Sequence, residues 1–123
     1  MEKGFRKVRV QIGIPGMAGY ASSGGGGTTN FEPLEPGPSY DPAYDLRRSL
    51  KMLEICREQL GEEVGLIHDV HERLTPNEGV QFCKEAEKFH MFFVEDPLSP
   101  EDLDYFKQIR QNCETPIAMG ELF

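Results

Sequence analysis

Three short apolar runs, each ending in an acidic residue, constrain this chain more than any other feature. The run VGLIHD ends at Asp69, MFFVE ends at Glu95, and PIAMGE ends at Glu121. The acids are separated by 95 − 69 = 26 and 121 − 95 = 26 residues, which leaves room for one helix and its loops between consecutive runs. The sequence therefore predicts repeated strand-helix units, with the three carboxylates at equivalent positions.

Helix start signals occupy both intervals between these runs. The residues from Thr75 to Glu78 (TPNE) match a capping box with proline at the first helical position, and predict a helix that runs to about Phe89. The residues SPED, which begin at Ser99, repeat the capping signal and predict a helix to about Cys113.

A further strand and helix are predicted upstream. The β-branched segment Phe5 to Ile12 favours a strand, and leucines at steps of three and four favour a helix from Tyr44 to Leu60. Asp41 is its expected N-cap, with Pro42 at the first position. The irregular stretch from Gly13 to Asp41 is rich in glycine and proline, and loops of this length are usually functional or disordered.

The predicted order is strand, loop, helix, strand, helix, strand, helix, strand. Such alternation is typical of an α/β fold in which crossover helices connect parallel strands. An open doubly wound sheet and a closed barrel both fit the pattern. Both place their active sites at the carboxyl ends of the strands, where the acids are predicted to lie.

Three carboxylates that converge from neighbouring strands repel one another unless a cation lies between them. Ligation by oxygen alone favours a hard ion, Mg²⁺ before Zn²⁺. Each acid taken singly is equally well explained as a loop residue, or as a favourable charge at the start of the next helix. Their equivalent placement at three strand ends favours the metal site.

Composition narrows the class of protein. The net charge of −8 argues against a nucleic-acid partner, because phosphate backbones are bound by basic patches. No apolar run approaches the ~20 residues that span a membrane, and the amino terminus lacks the apolar stretch of a signal peptide. Cys56, Cys83 and Cys113 form no CxxC pair, so we expect reduced, mostly buried thiols and a cytoplasmic protein.

The segments HDVHERLTP, FFVEDPLSPED and TPIAMGELF, with the upstream VRVQIGIPG, occur in a characteristic order and spacing. Together they resemble the mannonate dehydratase subgroup of the enolase superfamily, which includes the D-mannonate and D-gluconate dehydratases. The resemblance implies that residues 1–123 are part of a (β/α)8 TIM barrel, covering about strands 2 to 5. It also implies that residues 13–43 form a long active-site loop, and that the N-terminal capping domain and the later barrel strands are absent.

The resemblance implies roles for individual residues. The acids that end the three runs match the Mg²⁺ ligands of the family, which would be Asp69, Glu95 and Glu121. Tyr20 resembles the tyrosine base, and Arg9 resembles the arginine that assists it. His71 matches a second acid/base histidine. Asp96 is expected to form a turn and not to bind metal.

These roles imply a reaction. A sugar-acid dehydratase removes the proton α to a carboxylate and eliminates the 3-hydroxyl group of an aldonic acid, such as D-mannonate or D-gluconate. The product is a 2-keto-3-deoxy acid. A nearby cation such as Arg9 would lower the pKa of Tyr20, which is ordinarily near ~10, and His71 could deliver a proton near neutral pH. The expected partner is a small sugar acid, and full-length family members are expected to be homo-oligomers.

Two other functions compete with this interpretation. The segment from Gly13 to Gly16 follows a strand as a phosphate-binding loop would, but neither GxGxxG nor GK[ST] occurs in the sequence. The chain could instead be a non-catalytic remnant or a split-gene segment, because four strands cannot close an eight-stranded barrel. Apolar edges would then lie open beside Phe5–Ile12 and Pro116–Glu121 unless a complementary segment or a swapped copy covered them.

Overall fold

Strands and helices alternate along the residues that the computed structural model describes, which are 4–12 and 41–121. The strands are β1 (Lys7–Val10), β2 (Gly65–Asp69), β3 (Phe93–Glu95) and β4 (Ile117–Ala118). The helices are α1 (Pro42–Leu60), α2 (Pro76–Glu85) and α3 (Leu103–Asn112), and 3-10 turns cover Ala86–Phe89 and Pro100–Asp102.

All four strands are parallel, and each pairs with the next strand along the chain, in the order β1-β2-β3-β4. The predicted α/β fold with crossover helices is therefore confirmed. A doubly wound sheet reverses its strand order at a switch point. The described strands have no such reversal, which is the arrangement found in a segment of a barrel.

The starts of α1 and α2 follow the predicted caps. The Asp41 side chain accepts a hydrogen bond of 3.0 Å from the amide of Ala43, and Pro42 is the first helical residue. The Glu78 carboxylate accepts bonds from the amide and hydroxyl of Thr75, at 3.1 and 2.6 Å. These contacts satisfy amide groups that have no partner within the first turn of a helix. They confirm both predicted starts.

Several predicted boundaries are wrong. All four strands are shorter than predicted; the third begins at Phe93 and not at Met91, because His90 ends the preceding turn in the left-handed conformation with φ of 46°. The Ser99 hydroxyl bonds to the Glu101 side chain and does not cap a helix, so a 3-10 turn precedes α3. Residues 42 and 43 belong to α1 and not to the predicted loop 13–43.

One face of the sheet packs against the helices and forms the core. Leu66 and Val94 are fully buried on that face, and Leu53 of α1 and Phe82 of α2 are fully buried as well. Ile55 of α1 is 42% exposed and is not part of this core. The opposite face of the sheet carries Arg9, Asp69 and Glu95.

Among the described helices, none has the length and apolar character needed to cross a membrane.

Candidate metal centre

Asp69 and Glu95 lie side by side at the carboxyl end of the sheet. They are the last residues of β2 and β3, and the parallel register pairs them directly. Side chains alternate across a strand, so both acids project from the face opposite the helices. The Asp69 side chain is 2% exposed and that of Glu95 is 24% exposed. An ionised carboxylate as buried as Asp69 needs a compensating charge or hydrogen bonds.

Arg9 supplies positive charge to both acids. Its Nη1 atom lies 3.2 Å from Glu95 Oε2, and its Nη2 atom lies 3.5 Å from Asp69 Oδ2. Arg9 projects from β1 on the same face and reaches across to the strand ends, while its side chain remains 49% exposed. Arg9 therefore forms ion pairs with both acids, although half of its side chain is exposed.

Gln11 is a candidate site residue that the sequence motifs do not indicate. Its Nε2 atom donates a hydrogen bond of 2.5 Å to Asp69 Oδ2. The register aligns Val10 with His68, so Gln11 lies level with Asp69. One sequence signal does point to Gln11. It lies two residues after Arg9, which places both side chains on one face of the strand.

The second oxygen of Asp69 is the clearest indication that a cation fits here. Asp69 Oδ1 is buried and has no hydrogen-bond partner in the part of the chain that the structure describes. An unsatisfied buried acceptor costs about 1–3 kcal/mol, and more when it is charged. A hard divalent ion would satisfy such an oxygen, because Mg²⁺ prefers carboxylate ligands.

Asp69, His71 and Glu121 form a tight group. One ligand atom from each residue lies within 4.8 Å of the others, and His71 Nδ1 is 3.7 Å from Glu121 Oε2. Glu121 does not end a strand as predicted, because β4 stops at Ala118 and a turn carries the chain on to Glu121. Glu95 lies outside this group. The predicted ligands thus share one corner of the sheet, but the tightest cluster contains His71 in place of Glu95.

Asp96 connects the loops that carry these residues. Its amide donates to the Ala118 carbonyl at 2.9 Å, and its Oδ1 atom accepts from the Gly120 amide at 3.1 Å. Its carbonyl accepts from the Glu72 amide at 2.8 Å. Asp96 is buried and holds the turn before Glu121, in keeping with the turn role expected for it.

The backbone at this corner is strained. His71, Glu72 and Asp96 have positive φ angles of 58°, 60° and 39°, in the left-handed region that favours glycine. Non-glycine residues in this conformation cluster at functional sites. Burial raises the pKa of Glu72, and the nearby carboxylates of Asp96, Glu101 and Glu121 raise it further.

The two histidines near Asp69 have different environments. Burial lowers the pKa of His68, whose Nδ1–H donates to the Val10 carbonyl at 2.8 Å while its ring packs against Phe82. His68 is therefore a neutral core residue, and His71 is the histidine that lies beside the acids. Tyr20, the predicted base, lies outside the described residues, as does the predicted loop from residue 13 to residue 40.

Comparisons with known proteins point to one family. The family model described as "Enolase C-terminal domain-like" matches residues 1–123. The chain is 40% identical over 125 residues to a "D-galactonate dehydratase family member" of Enterococcus gallinarum, and the match covers 100% of this chain and 29% of that protein. A protein of the same description from Musicola paradisiaca is 37% identical, with coverage of 100% and 32%. The chain thus spans about a third of the length of these curated relatives.

Solved structures agree with this result. A crystal structure of an enolase from Pantoea ananatis with bound D-gluconate and magnesium has a TM-score of 0.67 and 42% identity, over 72% of this chain and 21% of that one. The 3,6-anhydro-D-galactonate cycloisomerase of Zobellia galactanivorans has a TM-score of 0.68 at 24% identity, over 98% of this chain and 26% of that one. The second likeness supports the fold alone.

Proposed function

We propose that this chain, which belongs to the enolase C-terminal domain-like family, provides the metal-binding corner of a Mg²⁺-dependent sugar-acid dehydratase. The observation that carries the proposal is the buried, unpartnered Oδ1 atom of Asp69 beside further acidic side chains. The unreversed strand order supports the further proposal that the described strands are about strands 2 to 5 of a (β/α)8 barrel.

The names of the relatives support one substrate class. Two curated relatives are named for D-galactonate dehydratase, and the related Pantoea ananatis structure holds D-gluconate and magnesium. D-galactonate and D-gluconate are both aldonic acids. We therefore propose an aldonic acid as substrate, with D-gluconate and D-mannonate as the first candidates. Elimination of water from such an acid gives a 2-keto-3-deoxy acid.

Each residue of the corner has a role in this proposal. Asp69, Glu95 and Glu121 would hold Mg²⁺, which when bound stabilises the negative charge that develops on the substrate carboxylate as the α-proton leaves. His71 lies beside Glu121 and would protonate the departing hydroxyl group. Tyr20 would remove the α-proton with the assistance of Arg9, whose guanidinium is half-exposed beside Glu95.

Two further properties belong to the same proposal. Cys56, Cys83 and Cys113 are free thiols, which supports a reducing, cytoplasmic location. A homo-oligomeric state is proposed by analogy with full-length family members.

Direct metal titration and a dehydration assay test the proposal. We expect the complete natural protein to bind Mg²⁺ in calorimetry and to form a 2-keto-3-deoxy acid from an aldonic acid, with the activity lost in EDTA and restored by Mg²⁺. Asp69→Asn should weaken Mg²⁺ binding by more than the ~10- to 100-fold that loss of a residue supporting a ligand typically costs.

The matched control is Glu58→Gln, which neutralises an exposed carboxylate on α1 and should leave binding and turnover unchanged. Absence of Mg²⁺ binding in the wild-type protein would contradict the metal role. Mg²⁺ binding without conversion of any aldonic acid would contradict the reaction but leave the metal site in place.

A further inference from the structure

Gln11 touches the carboxylate that is central to the site. Its Nε2 atom lies 2.5 Å from Asp69 Oδ2, while Asp69 Oδ1 is buried without a hydrogen-bond partner among residues 4–12 and 41–121. We propose that Gln11 is a positioning residue, which fixes the Asp69 carboxylate so that Oδ1 remains available to a divalent cation. This inference rests on the function proposed above and names the residue that orients its metal ligand.

The flexibility of an aspartate side chain explains why such a residue is needed. The terminal torsion of aspartate has broad, roughly two-fold preferences, so the backbone alone does not fix the plane of the carboxylate. A hydrogen bond to one oxygen removes this freedom. Asp69 is 2% exposed, and the contact from Gln11 therefore acts in surroundings from which bulk water is largely excluded.

An amide suits this task better than a second cation would. Arg9 already lies 3.5 Å from Asp69 Oδ2, and its charge is shared with Glu95. A further positive charge would repel a divalent ion, whereas the neutral amide of Gln11 orients the carboxylate and leaves its negative charge for the ion. Residues that orient metal ligands through hydrogen bonds tune metal affinity in many proteins.

The test is a titration of the complete protein with Mg²⁺, together with EPR spectra of bound Mn²⁺. Gln11→Met keeps the length of the side chain and removes the donor, and should weaken Mg²⁺ binding by about 10- to 100-fold. It should also broaden the Mn²⁺ spectrum because the ligand geometry becomes less uniform. Loss of stability alone would not produce that change in a protein that remains folded at the temperature of the titration.

Gln81→Met is the matched control. Gln81 also donates its Nε2 atom to a carboxylate, Glu85 Oε1 at 2.8 Å, but this pair lies on the exposed surface of α2. Its replacement should leave the affinity for Mg²⁺ and the Mn²⁺ spectrum unchanged. If Gln11→Met fails to fold by circular dichroism, Gln11→Asn replaces it, because its amide is one methylene too short to keep the contact.

The outcomes separate this inference from the proposed function. Wild-type binding with unchanged affinity in a folded Gln11 variant would overturn the role of Gln11 and leave the metal site intact. Weakened binding in Gln81→Met to the same extent would also overturn it, because the effect would not be specific to the site. Absence of Mg²⁺ binding in the wild-type protein would overturn both proposals.

Discussion

At the scale of single residues, Cys83 and Cys113 form a buried thiol pair between α2 and the end of α3. The Cys83 thiol donates a hydrogen bond to Cys113, which lowers the pKa of Cys113 below that of an ordinary thiol. The same bond, together with burial, raises the pKa of Cys83. The two thiols should therefore differ in reactivity although both are shielded from solvent.

Cys83→Ala tests this pairing. Without its donor, the pKa of Cys113 should rise towards the ordinary value of about 8.5, as measured by thiolate ultraviolet absorbance against pH. The folded pKa of Cys113 lies below its unfolded value, so the free energy of unfolding should rise with pH between the two values. This stability is complete above the unfolded pKa and is lost as pH falls through the folded one.

The control for this prediction is Cys56→Ala, which removes a thiol outside the pair. It should leave the titration of Cys113 and the pH dependence of unfolding unchanged. An unaltered pKa of Cys113 in Cys83→Ala would contradict the proposed hydrogen bond.

Residue types at the site were partly predictable. Asp69, Glu95 and Glu121 were predicted as ligands because strand-like runs end on acids with equal spacing, and the structure brings Asp69 and Glu121, but not Glu95, into one group with His71. Gln11 was not found, because an amide in a strand carries no signal until the register places it beside Asp69. The grouping of His71 with Glu121 depends on the left-handed backbone conformation at His71. The sequence around His71 does not predict this conformation.

At the scale of elements, α2 packs closely on the segment that joins β3 to the next turn. A Cβ atom added at Gly79 would lie 2.5 Å from Leu98 Cδ2 and 3.2 Å from Leu98 Cγ. Leu98 is 1% exposed and packs within the core. The glycine therefore lets the helix approach the loop that follows Glu95.

Gly79→Ala should destabilise the protein, contrary to the usual effect of this change within a helix. Alanine ordinarily favours a helix by about 1 kcal/mol over glycine. Overpacking against a buried side chain costs about 1–3 kcal/mol, so the clash with Leu98 should prevail. Urea unfolding measures the difference.

The double variant provides the control. In a Leu98→Ala background the clash is absent, and Gly79→Ala should then be neutral or stabilising. If Gly79→Ala were stabilising with Leu98 present, the close approach of α2 to this segment would be contradicted.

Element boundaries were less predictable than element types. The TPNE segment behaved as a capping box because Glu78 reaches back to Thr75. The similar SPED segment did not, because the Ser99 hydroxyl bonds to the Glu101 side chain two residues on. A sequence pattern states which donors and acceptors are available, and the local backbone decides which of them meet.

At the scale of the whole molecule, the end of the sheet opposite the metal centre is held by Arg57. Its guanidinium donates to four carbonyls, at 2.7 Å to Gly61, 2.9 Å to Val64, 2.9 Å to Phe89 and 3.2 Å to His90. These contacts tie the end of α1 to the segment before β2 and the segment before β3. These stabilising contacts therefore lie at the end of the sheet opposite the candidate metal centre, an arrangement typical of barrels.

Arg57→Lys should lower the free energy of unfolding by about 2–3 kcal/mol, because an ammonium group cannot reach all four carbonyls and buried acceptors lose their partners. The Mg²⁺ affinity of the folded protein should stay unchanged. Arg110→Lys is the control, since within the described residues Arg110 donates to one carbonyl, that of Thr115 at 3.1 Å, and its loss should cost less. Equal losses in the two variants would contradict the role of Arg57.

The parallel α/β architecture was predictable because hydrophobic periodicity and helix starts recur along the chain. The choice between an open sheet and a barrel segment was not, because strand order is a property of long-range pairing and local sequence does not encode it. The described strand order and the family match distinguish the barrel segment from the open sheet.

The left-handed backbone at His71, Glu72 and Asp96 has a consequence for laboratory evolution. Each such residue costs roughly 1–2 kcal/mol relative to a relaxed conformation, and glycine or asparagine would relieve part of that cost. Selection for heat resistance alone would therefore favour replacement at His71 and Glu72, whereas glycine at position 96 would also remove the bond that Asp96 Oδ1 accepts from the Gly120 amide. If His71 protonates the leaving group as proposed, selection for turnover would oppose its replacement, so the two selections would favour different residues at position 71.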